Sequence, residues 1–391
     1  MHSLFYTLLG LLLVALAGRA DTTPSTNLPA NIVRVPVKLG QCIALHPTKP
    51  VLYVGRSDLP ADGKGFAVLR LDQAGGIIPD SRVDVADGIV DSPPPLGEGL
   101  QYAITSIVVN PVLPQIHIAA TAKRPRSFWQ DARACPISSL ELDEDGVPKA
   151  RVEGYRNTAR NADIRHLACD PLGRFVYFGQ FNGNLGFWPT GDEATIVVSK
   201  APARRNDRSA LRPGALKTSA REHLVAPFLR VSNWTYIPEW RRSFGSDGFS
   251  HKTIFTLSED GRYCSFAQAF AVEGNNPFVP QVSLKHQKMY VPNAEEQKLG
   301  VYLLTREGRF TSIPKFASID PVKLACLDDQ NDRLYIAQPN GLLSIYALDA
   351  DGNPASEPQR FDLQAGEVKD MVVSPKGVLY LACATPPGGK A

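Results

Sequence analysis

The sequence contains no Gly-rich phosphate loop, no Gly-x-Ser-x-Gly elbow and no His-Glu-x-x-His. Phosphate cradling at a helix start, acylation on a nucleophile elbow and helix-borne zinc chemistry therefore have no motif to rest on. Cysteine is sparse, six in 391 residues, with no Cys-x-x-Cys-His and no paired Cys-x-x-Cys, which removes haem attachment and structural zinc. No set of carboxylates and histidines has metal-ligand spacing, and no motif requires a cofactor. A charge excess is also missing: the formal net charge is +3, which gives nucleic-acid binding no electrostatic footing. The one long apolar run, Leu4 to Ala17, is too short for a membrane span. It has the length of a secretory core, and small residues follow it, with boundaries at Ala17 and at Ala20. Residues 1–20 read as a signal peptide, and the protein as secreted or periplasmic.

What the chain does have is glycine (31), proline (32) and a repeated phrase. An apolar strand is followed by a polar corner and a second strand with a central tyrosine. It runs Cys42-Ile-Ala-Leu-His-Pro to Val51-Leu-Tyr-Val, then Ile107-Val-Val-Asn-Pro to Ile116-His-Ile-Ala119. It returns from Leu167 to Phe178, Thr256 to Phe266, Val282 to Val291, Leu324 to Ala337 and Met371 to Leu381. The tyrosine position holds Tyr53, His117, Tyr177, Ser265, Tyr290, Tyr335 and Tyr380. Third strands with glycine turns follow, as in Phe66 to Gly75 and Leu343 to Gly352. A repeated sheet unit cannot bury its apolar faces alone, so the copies must stack and close on themselves. The expected fold is all-β, a seven-bladed β-propeller over residues 40–391 with four-stranded blades. First strands are expected near 42–46, 105–110, 165–170, 253–258, 280–285, 322–328 and 369–374. Residues 21–39 form an N-terminal segment whose short strand, Ile32 to Val37, is placed to complete the last blade.

Insertions interrupt the pattern at Asp87 to Gln101, at Lys123 to Cys135 and, the largest, at about 202–250. The last carries Arg204, Arg205, Arg208, Trp234, Tyr236 and Trp240, types that anchor partner contacts. Asn233-Trp-Thr235 fits a glycosylation acceptor. Five of the cysteines fall in strands, where cysteine behaves as a small buried hydrophobe. Cys42 and Cys383, in the first and last repeats, are the one pair that ring closure could bring together.

The phrases Leu45-His46-Pro47 with Leu52-Tyr53-Val54, then Phe66 to Asp72 and a glycine turn, resemble the seven-bladed lactonase family. That family includes propeller-type 6-phosphogluconolactonases and fungal carboxymuconate lactonizing enzymes. Arg165-His166-Leu-Ala-Cys-Asp-Pro171 is similar to its Arg-His entry into a blade, although Ala162-Asp-Ile164 stands where the family has Gly-Pro. The resemblance spans most of residues 40–383 and implies a lactonase-related propeller.

First strands of a propeller line its channel, and their starting residues sit at one mouth. Counting back five from each corner gives Gln41, Thr105, Arg165, Thr253, Lys323 and Lys369. Arg165, Lys323 and Lys369 could hold a carboxylate or phosphate, because a confined cleft concentrates the field of like charges. His166 is the candidate acid–base group beside Arg165 as a catalytic cation. Corner residues His46, Asn110, Asp170, Asp328 and Ser374 read as caps of their own turns. Two functions stay open: an exported binding module for a protein or glycan partner, and a lactonase-like hydrolase of a small anionic lactone.

Overall fold

A computed structural model describes residues 24–25, 27–35, 40–56, 65–85, 101–123, 137–151, 164–169, 172–180, 185–189, 233–246, 251–257, 264–271, 279–294, 296–311, 315–364 and 366–383. The expected signal peptide, the loops at 87–100 and 124–135, and the arginines at 204, 205 and 208 lie outside the described residues. Among the described residues the regular structure is strand apart from the short 3-10 turn Pro238–Trp240, and no helix is long and apolar enough to cross a membrane.

Among the described residues the strands form seven sheets. Sheet 1 is Gly40–Leu45, Val51–Arg56, Phe66–Arg70 and Val83–Val85. Sheet 2 is Gln101–Val109, Gln115–Lys123, Ile137–Leu142 and Pro148–Arg151. Sheet 3 shows Ile164–Cys169, Phe175–Gln180 and Leu185–Pro189. Sheet 4 is Asn233–Ile237, Arg242–Ser246, His251–Leu257 and Cys264–Ala271. Sheet 5 is Gln281–Ser283, Lys288–Asn293, Lys298–Leu303 and Lys315–Ser318, and sheet 6 is Leu324–Asp328, Arg333–Ala337, Leu342–Ala347 and Gln359–Asp362. Sheet 7 joins Val368–Val373 and Leu379–Cys383 to the N-terminal strand Ile32–Arg34. The first strand of each sheet touches the first strand of the next, and that of sheet 7 touches that of sheet 1. The chain is a β-propeller with its first strands innermost.

Sheet 4 departs from the expected strand order. Its first strand is Asn233–Ile237, inside the segment expected to be an insertion, and His251–Leu257 is its third strand. The Ser-Glu-Asp-Gly corner after Leu257, which the repeat places between first and second strands, joins the third and fourth instead. Either hairpin can close on an acidic-Gly turn. The aromatic of this sheet is Phe244, opposite Thr235, and not Ser265.

Among the described residues the junctions of sheets 1 with 2, 4 with 5, 5 with 6, 6 with 7 and 7 with 1 are apolar on both sides, because a blade is covered by its neighbours on both faces. Leu52, Tyr53 and Val54 are all fully buried, giving a continuous buried run rather than alternation. Tyr53 joins Ile104, Ile107 and Ile118 between sheets 1 and 2, while Leu52 and Val54 join Val378 and Tyr380 between sheets 7 and 1. The recurrent tyrosine also clasps the next sheet. Tyr53 donates to the Gly146 carbonyl at 2.7 Å, Tyr290 to that of Gly352 at 2.7 Å, and Tyr380 to that of Gly75. All three glycines sit at positive φ in turns between third and fourth strands or the equivalent bridge, where a Cβ would strain the backbone. Phe244 has no hydroxyl, and in sheet 4 the Arg242 guanidinium donates to the Glu307 carbonyl instead, at 2.9 Å.

A second set of links runs between innermost strands. Cys42 donates to the Ile104 carbonyl, Ser106 Oγ accepts the Leu167 N–H, and Thr235 donates to the Pro280 carbonyl. Gln281 Oε1 accepts the Leu327 N–H, Cys326 bonds the Val373 backbone, and Asp370 Oδ2 accepts the Ile43 N–H at 2.8 Å. Side chains thus tie six of the seven junctions to backbone groups of the neighbouring sheet. Thr235 serves here, half-buried in an innermost strand, so Asn233-Trp-Thr235 is not the exposed loop that glycosylation favours.

The ring closes at sheet 7, where the N-terminal strand is the outer one of the three described. Ile32–Arg34 lies parallel to Leu379–Leu381 and takes the third place in the sheet. Upstream, Ser25 exchanges hydrogen bonds with Arg360 and Asp362 on the outer strand of sheet 6. The segment therefore straps the sixth sheet to the seventh. Cys42, Cys326 and Cys383 are free thiols. The Cys42–Cys383 bridge does not form, because the Cys42 thiol turns toward Ile104 of sheet 2, away from sheet 7.

Candidate functional site

Strand register gives the channel mouth its geometry. In sheets 1, 2, 3 and 7 the ladder between the first two strands skips one residue of the innermost strand. The skipped residues are Gln41, Thr105, Arg165 and Lys369. These are four of the expected mouth residues, each placed at a β-bulge. A bulge leaves a residue out of the pairing and re-aims it, a device found at barrel rims and beside functional sites. In sheet 6 the corresponding position is Lys323, whose N–H donates to the Ala337 carbonyl at 2.7 Å. Thr253 does not belong to this set. It lies on the third strand of sheet 4, between Gly245 and Ala269, because its hairpin is the outer one.

Lys323 and Lys369 come together. Both ammonium groups bridge the Glu367 carboxylate, Lys323 to Oε1 at 2.7 Å and Lys369 to Oε2. All three side chains keep partial solvent contact, 46% for Lys323, 29% for Lys369 and 31% for Glu367, so the cluster is reached by water. The two lysines hold the Glu367 carboxyl below the usual range. Sequence reasoning misses Glu367 because it precedes the seventh first strand rather than starting it. The only signal is its spacing from Lys369, two residues, which across a bulge places both near one rim. Arg165 sits on the third sheet and is not neighbour to this pair in the ring order.

His166 follows the bulge in sheet 3 and lies opposite Gly179. The same register position holds Cys42, Ser106 and Asp370 in sheets 1, 2 and 7. Each of those three bonds the backbone of the next innermost strand. Asp370 is a second group that sequence reasoning does not single out. It is packed among neighbours on an innermost strand, and burial raises its pKa to about 6 against the opposing pull of the Ile43 and Met371 N–H groups.

Three other histidines have structural partners. His46 Nδ1 accepts the N–H groups of Thr48 and Lys49, and burial first, then Lys49, lowers its pKa to about 4. His286 Nε2 meets Asp332 at 2.7 Å across the junction of sheets 5 and 6. His117 is fully buried against Ser139. Asn110, Asp328 and Ser374 cap their own corners, as expected; Asp170 and His223 lie outside the described residues. No cluster suited to a metal ion exists among the described residues.

The fold places this chain among the β-propellers. The periplasmic gluconolactonase PpgL of Pseudomonas aeruginosa superposes with a TM-score of 0.57 at 12% identity, covering 89% of each chain. A putative 6-phosphogluconolactonase of Bacteroides uniformis gives 0.55 at 14% identity, over 86% of this chain and 89% of that one. The β-propeller domain of Cps50 from Myceliophteria thermophila gives 0.55 at 9% identity, over 86% and 91%. The likeness is one of fold and is shared by proteins of different description. No protein-family model matches the sequence, and no curated protein matches it.

Proposed function

We propose that this protein is an exported seven-bladed propeller that binds a small hydroxylated acid, of the sugar-acid or sugar-lactone class, at the mouth of its channel. The observation that carries the reading is the pairing of Lys323 and Lys369 on neighbouring sheets, at the rim where bulges lift Gln41, Thr105, Arg165 and Lys369 from their ladders. Cations and amide or hydroxyl groups around a water-filled opening suit a ligand rich in hydroxyls with one acidic end. The alternative partner surface is weaker, because part of the segment assigned to it is the first hairpin of sheet 4.

Lactone hydrolysis is the second reading. It is favoured by the fold likeness to proteins described as a gluconolactonase and a 6-phosphogluconolactonase. In that reaction His166 would move the proton and Arg165 would stabilise the developing oxyanion. Against it stands the register position of His166, which elsewhere in the ring serves a structural link.

Titration calorimetry and a hydrolysis panel of carboxylated and phosphorylated lactones separate these outcomes. Arg165→Ala and Lys369→Met are expected to weaken anion binding by about tenfold, and more at low salt, since exposed charges are screened over roughly 10 Å at 0.1 M. Arg204→Ala, far along the chain in the segment before sheet 4, should change nothing. Turnover abolished by His166→Ala with affinity retained makes the protein a hydrolase. Binding without turnover makes it a binding module. Absence of both in the wild type overturns the reading. Export adds a separate test: N-terminal sequencing of secreted material should begin after Ala17 or Ala20, and an intact cytosolic chain would contradict it.

A further inference from the structure

We infer that Glu367 is an internal stand-in for the acidic group of the ligand: a carboxylate or phosphate enters the mouth by displacing it from Lys323 and Lys369. This rests on the channel-mouth reading above. Lys369 is the bulge residue of Val368–Val373, and the Lys323 N–H is bonded to Ala337 at the head of its strand. Glu367 lies just before Val368–Val373, as Lys323 lies just before Leu324–Asp328, on the connection between sheets 6 and 7 after Gly366. Gln364, three residues earlier, already takes a left-handed φ of 48°. Displacement then requires only that the Glu367 side chain turn away, while both ammonium groups stay at the rim.

The chemistry of the contact points the same way. Each carboxylate oxygen of Glu367 meets one ammonium group, so the three charges form one bridge with an excess of +1. A ligand carboxylate reproduces that arrangement atom for atom, and a phosphate monoester does so with a further oxygen and more charge. Part-exposed ion pairs of this kind are weak, so a better-placed anion can replace one. A neutral sugar or lactone has nothing to exchange for the carboxylate. The bridge would then set a minimum ligand charge: the site stays self-neutralised until an anion arrives, and hydroxyl contacts at Thr105 and Gln41 act only afterwards.

The test is calorimetry on the full mature chain with 6-phosphogluconate, gluconate and neutral glucono-lactone as probes. Glu367→Gln keeps the shape and removes the charge. It should bind 6-phosphogluconate about tenfold tighter than wild type, with gluconate tightened less and the neutral lactone unchanged. Lys369→Met should lose most of that gain when combined with Glu367→Gln. Glu367→Ala serves as a second variant, expected to behave alike, and thermal unfolding checks that all remain folded. If wild type binds 6-phosphogluconate but Glu367→Gln and Glu367→Ala bind it equally or more weakly, the displacement is wrong while the channel-mouth reading survives. If neither wild type nor the variants bind any of the anions, both fall.

Discussion

Gly55→Ala should destabilise the propeller by roughly 2–3 kcal/mol, a large effect for one methyl group. Gly55 ends the buried run of the strand Val51–Arg56 and faces the innermost strand of sheet 2. A Cβ built there would lie 2.5 Å from Ile104 Cγ2 and 2.8 Å from Cys42 Sγ. Ile104 is fully buried and β-branched, so its Cγ2 cannot rotate away without meeting other core atoms. The cost is overpacking rather than lost conformational freedom. The same place, two residues after the recurrent aromatic, is small around the ring: Ala119, Gly179, Ser246, Ala337 and Ala382, with Pro292 in sheet 5. Gly55→Ala combined with Ile104→Ala should be less destabilised than the sum of the two single variants, because the second substitution vacates the space that the first requires. Denaturant midpoints of the four proteins provide the cycle. Strict additivity would mean that the methyl group is accommodated elsewhere.

Such close approaches between sheets show how far the sequence can be read. The repeat specifies the sheets, since strand, corner and central tyrosine recur wherever a blade must bury both faces. Positions of the first strands in sheets 1, 2, 3, 5, 6 and 7 follow from it, and with them four bulge residues. Sheet 4 escapes because hairpins inside and outside a blade use the same turn chemistry, and because Phe244 replaces the tyrosine that marks register elsewhere. The strap is recognisable as a strand, but its parallel pairing is not, since pairing direction depends on where the ring closes and not on local alternation. Glu367 and Asp370 stay hidden for a related reason. Their meaning depends on groups more than forty residues away, Lys323 for one and Ile43 for the other. No spacing rule links such residues; only closure of the ring does.

The acid stability of the protein should be set by two desolvated groups that oppose each other. His117 occupies the tyrosine position of sheet 2, fully buried, with Nδ1 2.7 Å from Ser139 Oγ. Burial lowers its pKa from 6.5 to about 3. The unfolded chain therefore takes up a proton below pH 6.5 that the folded chain refuses. The stabilisation is complete above pH 6.5 and is lost as pH falls, by about 3 kcal/mol at pH 4.5. Asp370 acts with the opposite sign, because burial raises its pKa from 3.8 to about 6. There the folded chain keeps a proton that the unfolded chain releases. Its contribution is present below pH 3.8 and lost as pH rises through 6, so acidification from pH 6 to 4.5 returns about 1.5 kcal/mol. The wild-type profile should consequently be shallow between pH 6.5 and 4.5. His46 adds a smaller loss of the same sign as His117, its pKa lowered to about 4 while it stays partly exposed. Asp370→Asn removes the offset, and its denaturant midpoint should fall steeply over this window relative to its own value at pH 7. His117→Gln removes the stronger of the two opposing groups, and its midpoint should hold or rise as the solution is acidified. Both variants lose a constant amount at every pH from altered hydrogen bonds, so the slope and not the level is the readout. Parallel slopes for wild type and both variants would show that neither group carries its proton differently in the folded and unfolded chain.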